Sequence, residues 1–503
     1  MVSFRFRFFL FCNLVLFYVP ANWSCVYRAT IPSRPLNDPG KMTLLKVDRN
    51  FKEEFLRVTD YRVPFTFEEK DSFYATVPRS DLKSYGFPKQ GISQVFKYPF
   101  KYYAGNYQEL VNETIFALGD VTKGYKDNSL NFRYLYWISK LFPRQASFQV
   151  IGKSSRGADI FAILLTDHRT ADAGKVSVLF NCAHHSNEVI SVEHCYDVIY
   201  GVLSSKKEYS DALSKLKIWI VPIVNPDGAN VFWNETIAMG RKNGYPGYGS
   251  ILEKDNPGVD INRNYPFFWG KTRSNQTSPL PSSVFYRGPR PGSEPETVAM
   301  MTLAEKERFV GSISYHAYAN CILVPYTIDD TRNPDPDLAW SLGNKIAAEI
   351  RSYNPDKAFR ARKNIYGVDG VDQDYFFFKY GTLAYLLETS HSNPPYSDVS
   401  KIVESMRPAW KLLLRELLEG DKIFFRISDE NGHPLDANVV FENQTYYHGE
   451  TRTARPSDGI YFQSFPFLRK LKLRVEKPGY TPLHWEGTTW KSWKAVDLVL
   501  KKE

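Results

Sequence analysis

A histidine and a glutamate three positions apart, His185 and Glu188, are the first residues in this sequence that could do chemistry together. An apolar run over 176–180 ends just before them, and ligands of open α/β sheets bind beyond the carboxyl ends of the strands. The spacing of three selects His185 rather than His184 as the partner of the glutamate. A catalytic zinc needs a third protein ligand and an open position for water. His316, which follows another apolar run, is the candidate, although a single histidine there is more often structural.

Further polar residues follow apolar runs or fill the loops between them. The segment 258–264 supplies an acid, an amide and a guanidinium within five residues: Asp260, Asn262 and Arg263. A solvated loop would also explain these residue types. Glu388 directly follows an apolar run, and a carboxylate at the end of a buried strand is costly unless it is paired or used.

Taken together and in order, these motifs resemble the zinc metallocarboxypeptidases, and the branch of carboxypeptidases N, E and D is the most similar. Each motif alone is weak, but the ordered set is specific, and the resemblance covers about 105–420. The matching residues are His185-Ser-Asn-Glu188, Asn225-Pro-Asp-Gly228, Arg241, Gly258-Val-Asp-Ile-Asn-Arg-Asn264, His316-Ala-Tyr318, Pro325-Tyr326, Tyr366 and Glu388.

The resemblance implies one Zn²⁺ per chain, held by His185, Glu188 and His316, with a fourth position left for water. Zinc lowers the pKa of such a water to about 7, so that hydroxide is available near neutral pH. The resemblance also implies that Glu388 is the general base, which takes the proton of the water and later delivers it to the leaving amine. Arg241 would stabilise the oxyanion of the tetrahedral intermediate.

The same resemblance assigns further residues to substrate binding and support. Asn262, Arg263 and Tyr366 would clamp the free C-terminal carboxylate, which a guanidinium binds in a bidentate fashion that lysine cannot reproduce. Gln373 would form the base of the specificity pocket. Asp260 would fix the tautomer of the first histidine ligand.

The preferred C-terminal side chain of the substrate stays open. Thr327 stands where members specific for basic residues carry Asp. However, Asp329 and Asp330 follow within three residues, and a small insertion could restore an acid to the pocket. A basic residue and a neutral or bulky residue are both compatible with the sequence.

The elements that must position these residues alternate along the chain. From about residue 146, apolar runs alternate with segments of helical spacing. This pattern predicts an α/β fold with a mixed, mainly parallel sheet flanked by helices. A small α+β segment precedes it, and short strands after Gly420 predict a β-sandwich. The predicted strands are 42–47, 72–77, 161–165, 176–180, 216–224, 310–315, 383–387, 422–427, 437–441, 459–462, 471–475 and 496–500, and the predicted helices are 51–58, 131–141, 189–203, 336–350 and 400–418.

Four domains are expected from these patterns and from the resemblance. Residues 1–24 are predicted to be a signal peptide, and 25–104 a linker with a segment that is either a removable pro-segment or a permanent accessory domain. The N/E/D branch usually lacks a pro-segment. Residues 105–420 would form the catalytic domain, and 421–503 would form the transthyretin-like β-sandwich of that branch.

The N-terminus predicts export, because a basic start precedes an apolar run over 8–19 that is too short to span a bilayer. The protein is therefore expected to be secreted, periplasmic or at the cell surface. Cys25 could be a lipidated first residue, and a lipid there would be the expected route to membrane association. Cys182 and Cys195 could pair or remain buried thiols.

Composition excludes several classes of function. Hydrophobic residues make up 43% and charged residues 24% of the 503 residues, an ordinary globular mixture. The net charge of +9 is mild, and the absence of a Lys/Arg run of five argues against nucleic acid as a partner. The expected partners are the C-termini of peptides or proteins, and the expected state is a monomer.

The leading interpretation is an exported zinc carboxypeptidase that hydrolyses the C-terminal peptide bond. One alternative is a non-catalytic peptide-binding protein on the same fold, whose signature would be loss of the base or of a metal ligand. Another is a carboxypeptidase that trims cell-wall peptides. Both alternatives use the same fold, so only the site residues and the substrate separate them.

Overall fold

The computed structural model of the chain describes most residues from 124 onward and four stretches before them. The described residues form two compact units that divide after Arg133. The predicted signal peptide and Cys25 lie outside the described residues. The described ranges are 42–59, 65–69, 72–78, 82–95, 124–204, 206–234, 240–245, 247, 257–272, 274, 276–352 and 358–503.

The N-terminal unit contains an antiparallel sheet and one short helix. Its strands have the order β2-β3-β1-β4, and a small apolar core includes Val47 and Phe55. The two predicted strands and the predicted helix are confirmed, whereas β2 and β4 were not predicted. The elements are β1 (Met42–Asp48), helix α1 (Lys52–Val58), β2 (Phe65–Glu69), β3 (Ser72–Pro78) and β4 (Ile92–Val95).

The second unit is built on an eight-stranded mixed sheet with the order β11-β10-β12-β9-β7-β8-β6-β5. The four central strands, β12, β9, β7 and β8, are parallel, while antiparallel pairing brings in β10 on one side and β6 and β5 on the other. The expected mixed, mainly parallel sheet is confirmed. The strands are β5 (Ala146–Lys153), β6 (Asp159–Leu165), β7 (Val176–Cys182), β8 (Leu216–Val221), β9 (Gly311–His316), β10 (Cys321–Leu323), β11 (Arg360–Arg362) and β12 (Leu383–Glu388).

Helices flank this sheet. Every residue of β7 and β9 is buried, as expected for central parallel strands that are covered on both faces. Helices α3, α7 and α9 pack together against the sheet. The apolar stripe of α9 explains its position, because Ile402, Met406 and Leu413 are all buried. The helices after residue 124 are α2 (Asn128–Leu141), within which the two units divide, α3 (Ile190–Ser204), α4 (Lys206–Lys215), α5 (Pro226–Asn234), α6 (Pro295–Glu307), α7 (Leu338–Glu349), α8 (Asp372–Tyr380) and α9 (Tyr396–Glu419).

The strand register brings the ends of three parallel strands together. Glu388, the last residue of β12, lies opposite His316, the last residue of β9. Tyr315 lies opposite Cys182, the last residue of β7. Because the carboxyl ends of parallel strands meet at one edge of a sheet, side chains that follow these strands converge there.

The C-terminal residues form two three-stranded sheets, with the orders β15-β13-β18 and β14-β16-β17. The sheets face each other across aromatic contacts, such as Phe425 with Trp485 at 5.1 Å and Phe441 with Phe465 at 6.2 Å between ring centroids. The predicted C-terminal β-sandwich is confirmed as architecture. Its strands are β13 (Asp421–Asp429), β14 (Asn438–Phe441), β15 (Ile460–Phe465), β16 (Lys470–Glu476), β17 (Leu483–Thr488) and β18 (Val496–Leu500).

The sandwich is anchored to the edge of the large sheet where the parallel strands begin. Arg455 donates to the carbonyl of Lys175 at 2.6 Å and to Oγ of Ser177 at 3.1 Å, at the start of β7. Arg308, just before β9, donates to the hydroxyl of Thr453 at 3.0 Å. Two strands of the sheet therefore begin at the sandwich and end at the convergent edge.

Two kinds of sequence prediction differ from the structure. The strand predicted over 216–224 ends at Val221, because the chain turns there toward α5. Strands β5, β10, β11 and β17 and helices α4, α5, α6 and α8 were not predicted. Among the described residues, no helix is both long and apolar enough to cross a bilayer.

Candidate active site

Three predicted metal ligands meet at the carboxyl edge of the large sheet. His185 and Glu188 lie in the loop between β7 and α3, and His316 ends β9. Glu188 Oε1 lies 2.8 Å from His185 Nδ1, and its Oε2 lies 3.0 Å from His316 Nδ1. One donor atom from each residue falls within 4.8 Å of the others, and all three residues are buried. Two imidazole nitrogens and one carboxylate oxygen are a donor set that suits zinc and leaves a position open.

Asp260 orients the first histidine. Its Oδ1 lies 3.0 Å from His185 Nε2, so a proton on that nitrogen leaves Nδ1 free to bind a metal ion. Asp260 also accepts hydrogen bonds from Arg241 Nε at 3.0 Å and from the backbone N–H of Asn262 at 3.1 Å. Burial alone would raise the pKa of Asp260, but the charges of Arg241 and His185 hold it well below its usual range. The carboxylate is thus charged and fixed.

His184 occupies a different environment from its neighbour. Its Nε2 lies 2.9 Å from the hydroxyl of Tyr265, and its ring stacks on His316 with 5.7 Å between centroids. Burial lowers the pKa of His184 to about 4, which keeps the ring neutral. The structure places His185, and not His184, among the converging donor atoms.

Glu388 presents a free carboxylate oxygen beside the three donors. Its Oε2 is buried and has no hydrogen-bond partner among the described residues. Burial raises the pKa of Glu388 to about 7, and the nearby charge of Glu188 adds to this shift. A carboxylate with an unoccupied oxygen in a cleft can accept a proton from a water molecule and return it.

These residues line one cleft of about 630 Å³, a volume that includes its solvent-filled mouth. Of the predicted site residues, only Asp260 does not line it, since that residue lies behind His185. The structure therefore brings the proposed ligands, base, clamp and pocket residues to one place. The lining comprises His185, Glu188, Arg241, Asn262, Arg263, Gln276, Phe285, His316, Ala317, Tyr318, Tyr366, Val371, Gln373, Leu386 and Glu388.

The predicted carboxylate clamp is held by the backbone. Arg263 donates from Nε to the carbonyl of Gln276 and from Nη1 to the carbonyl of Asn262, both at 2.7 Å, which fixes the plane of the guanidinium. Gly370 has a φ of 70°, and a Cβ there would lie 2.2 Å from the Arg263 carbonyl oxygen, so glycine is required. Burial raises the pKa of Tyr366 to about 12, so its phenol remains a donor at neutral pH.

Phe285 lines the cleft but was not predicted from the sequence. Its ring centroid lies 4.9 Å from Cζ of Arg241 and 5.8 Å from Cζ of Arg263. Cation–π contact of this kind holds both guanidinium groups against the cleft wall. No motif marks Phe285, because only the fold brings its loop between the two arginines.

Gln373, which is predicted to form the base of the specificity pocket, lines the cleft, whereas the neighbouring acid Asp374 does not. Gln373 Nε2 lies 3.3 Å from Thr327 Oγ1, while its Oε1 is buried and has no hydrogen-bond partner in the part of the chain that the structure describes. Asp374 accepts from the N–H of Thr327 at 3.0 Å and from its hydroxyl at 2.7 Å, and burial raises the pKa of Asp374 to about 7. Asp329 and Asp330 are exposed and do not line the cleft, so the suggestion that they restore an acid to the pocket is wrong.

Two features brace the loop that carries the first ligands. Cys182 and Cys195 form a disulfide that bridges the end of β7 and helix α3, with the ligand loop between them. Asn225, from the predicted motif, donates to the carbonyl of His184 at 3.0 Å, and its own carbonyl accepts from Ser186 Oγ at 2.6 Å. The disulfide resolves the alternative that the sequence left open for these cysteines, while Cys321 is a free, buried thiol.

The sequence is similar to those of known zinc carboxypeptidases. Residues 133–409 match the sequence profile of the zinc carboxypeptidase family, Peptidase_M14. Metallocarboxypeptidase A of Trichophyton rubrum is 29% identical over 266 residues, which are 50% of this chain and 60% of that protein. A zinc carboxypeptidase of Saccharothrix mutabilis subsp. capreolus is 26% identical over 266 residues, or 49% of this chain and 57% of that protein. The match thus spans less than two thirds of these relatives' own length.

Solved structures share the fold. Carboxypeptidase A from Helicoverpa armigera superposes with a TM-score of 0.53 at 19% identity, over 75% of this chain and 97% of that one. Thrombin activatable fibrinolysis inhibitor superposes with a TM-score of 0.51 at 17% identity, again over 75% and 97%. The profile match covers more than half of the 503 residues. The chain belongs to the zinc carboxypeptidase family.

Proposed function

We propose that the chain is an exported, zinc-dependent metallocarboxypeptidase that releases the C-terminal residue of peptides or proteins and acts as a monomer. The observation that carries this proposal is the convergence of three metal donors beside the free carboxylate oxygen of Glu388. A non-catalytic binding protein would not need that oxygen, nor the burial that brings the pKa of Glu388 to about 7.

Each residue has a role that follows from its position. Bound zinc would supply a Lewis acid that lowers the pKa of a water molecule to about 7. Glu388 accepts the proton of the attacking water and delivers it to the leaving amine. Arg241 Nη1 lies 3.3 Å from His185 Nδ1, beside the metal donors, and can donate to the oxyanion that forms there.

The clamp makes the proposed enzyme an exopeptidase. Arg263 offers a fixed guanidinium at the cleft, and Asn262 and Tyr366 line the same wall. A guanidinium recognises a carboxylate in bidentate fashion. A peptide must then present its free C-terminus to place the last peptide bond beside Glu388.

Replacing Arg263 with lysine tests the clamp. We expect kcat/KM on peptides with a free C-terminus to fall about 10–100-fold, because an ammonium keeps the charge but loses the paired hydrogen bonds. The measurement is steady-state kinetics on a short peptide. Arg290→Lys, at an exposed arginine outside the cleft lining, is the matched control and should leave kcat/KM unchanged. An unchanged kcat/KM in Arg263→Lys would contradict the clamp.

We further propose a preference for neutral C-terminal side chains, especially those with a hydrogen-bond donor. The free Oε1 of Gln373 is an acceptor, and the pocket beside it includes the apolar Val371 and Leu386. The nearby Asp374 is occupied by Thr327 and is not among the cleft-lining residues. A cationic side chain that reached Gln373 would therefore meet an amide and not a carboxylate, so no ion pair there would offset the cost of burying its charge.

A single substitution should reverse this preference. In Gln373→Asp, we expect the ratio of release rates for C-terminal Lys or Arg over neutral residues to rise by roughly tenfold or more, because a buried carboxylate would pair with the cation. A panel of peptides that differ only in the last residue measures this ratio. Gln373→Leu is the matched control and should disfavour polar residues without favouring basic ones. Faster release of basic than of neutral residues by the unmodified protein would refute the preference.

The domain organisation is also a proposal. We assign 1–24 to a signal peptide, 25–104 to a linker and pro-segment-like or accessory domain, 105–420 to the catalytic domain and 421–503 to a transthyretin-like domain of the N/E/D type. The Cys182–Cys195 disulfide supports export, because disulfides persist in oxidising compartments. The two three-stranded sheets after the catalytic region support the last assignment.

Removal of the metal ion tests the proposed activity. Purified protein should release the C-terminal residue of a peptide, lose this activity after treatment with a chelator, and regain it when Zn²⁺ is added back. Mass spectrometry of the products identifies the bond that is cut. Activity that survives the chelator, or cleavage only at internal bonds, would refute the proposal.

A further inference from the structure

The turn between β15 and β16 exposes two large apolar side chains. Phe467 is 56% exposed and Leu468 is 66% exposed. Among the large apolar side chains that are exposed in the described residues, they are the only pair adjacent in sequence, and Leu468 has the highest exposed fraction. Single exposed apolar residues are normal, whereas an exposed apolar pair at the tip of a turn indicates a contact surface.

Positive charges surround this turn. Arg469 follows it directly, and its guanidinium lies 5.6 Å from the centre of the Phe467 ring. Thr489 is hydrogen bonded to Arg469 through its N–H and its hydroxyl, both at 2.9 Å, which brings the segment with Lys491 and Lys494 alongside. Both lysines are exposed, and no ion pair is found for these three cations in the described part of the chain.

Two tryptophans lie on the same segment as the lysines. Trp490 and Trp493 are half-buried, and their rings contact Phe425 at 5.9 Å and Phe424 at 5.8 Å between centroids. Indole rings are enriched at the boundary between lipid and water, because one part of the side chain is apolar and the other is polar. The turn and this segment thus combine exposed apolar side chains, exposed lysines and half-buried indole rings.

We propose that this end of the β-sandwich docks on an anionic lipid surface. We call it the sandwich tip and define it as Phe467, Leu468, Arg469, Lys491 and Lys494. The two apolar side chains would enter the interface, and the three cations would meet anionic headgroups. An anionic polysaccharide or a nucleic acid would satisfy the cations but leave Phe467 and Leu468 in water, so the lipid surface fits the whole tip.

The position of the sandwich tip is compatible with catalysis on soluble peptides. The Trp493 ring lies 5.9 Å from Nζ of Lys215, which directly precedes β8. This part of the sandwich is therefore beside the edge where the parallel strands begin, whereas the candidate active site lies at the edge where they end. A chain docked through the tip would keep the cleft open to solution, and the docking does not depend on the proposed enzymatic activity.

Vesicle binding tests this proposal. The probe is the full secreted chain carrying Cys25→Ser, which removes the predicted lipid acceptor, mixed with vesicles of phosphatidylcholine alone or with phosphatidylglycerol. We expect binding to the anionic vesicles that weakens as salt is raised. Phe467→Ser/Leu468→Ser should weaken binding by at least roughly tenfold, since each side chain loses its burial in the interface. Arg469→Gln/Lys491→Gln/Lys494→Gln should weaken it by roughly 100-fold at low salt.

Leu280→Ser is the matched control, because Leu280 is 61% exposed on a different loop, and this variant should bind as the parent does. Thermal unfolding checks that every variant is folded. Three results would overturn the proposal: no binding of the parent to anionic vesicles, equal loss of binding in Leu280→Ser, or binding to heparin alone that is insensitive to the Phe467/Leu468 change. Peptidase activity should be the same in all these variants.

Discussion

Replacing Glu388 with glutamine is expected to lower kcat by about 10²–10⁴-fold while leaving one zinc ion bound per chain. Glu388 is not among the three converging metal donors, so the amide should not disturb the metal site. Within the described residues its Oε2 is buried in the cleft and has no hydrogen-bond partner, which leaves it free to take a proton from water. An amide of the same shape cannot accept that proton.

This variant separates catalysis from binding. KM should change little, because the proposed clamp residues Arg263 and Tyr366 remain, and zinc content by atomic absorption should match that of the parent. Glu349→Gln, at an exposed residue of α7, is the control for loss of a carboxylate outside the cleft and should keep full activity. If kcat of Glu388→Gln stayed within a few fold of the parent value, Glu388 would not be the general base.

Replacing either of the adjacent histidines, His184 or His185, with alanine should have very different effects on zinc binding. His185→Ala should lose bound zinc, and kcat/KM should fall by roughly 10³-fold or more, because a metal ion supplies several kcal/mol of charge stabilisation in the transition state. His184→Ala should keep its zinc. It should instead lower the free energy of unfolding by about 1–3 kcal/mol, since the buried hydroxyl of Tyr265 loses its partner.

Zinc content and thermal unfolding together distinguish the two variants. The structure gives the neighbours different surroundings, because Nδ1 of His185 faces Glu188 whereas His184 faces Tyr265. Loss of zinc in His184→Ala with retention in His185→Ala would reverse the assignment of the first ligand. That outcome would also remove the role proposed for Asp260.

Part of the candidate site was predictable because two of its residues directly follow apolar runs. His316 and Glu388 each end a buried strand, and the parallel pairing of β9 with β12 places them opposite each other. The apolar runs identify the strands, and the order of the motifs identifies the family. The local sequence pattern is thus enough to predict that residues at the ends of neighbouring parallel strands lie close together.

Other features depend on contacts between distant segments and leave no local signal. Phe285 stacks on two arginines only because its loop folds between them. The hydrogen bond between Thr327 and Asp374 was not expected. Because of this bond, the carboxylate of Asp374 is turned to Thr327 and is not offered to a substrate. Strands β10 and β11 have three residues each, too few for an apolar pattern to stand out.

Two peptides that differ only at the C-terminus, one a free acid and one its amide, test whether the protein is a carboxypeptidase. The products of the zinc-loaded protein are followed over time by mass spectrometry. We expect the free acid to lose its last residue while the amide remains intact, because the proposed role of Arg263 is to bind a carboxylate beside the metal donors and Glu388. Removal of the last residue from both peptides at similar rates, or cleavage within the chain, would contradict it.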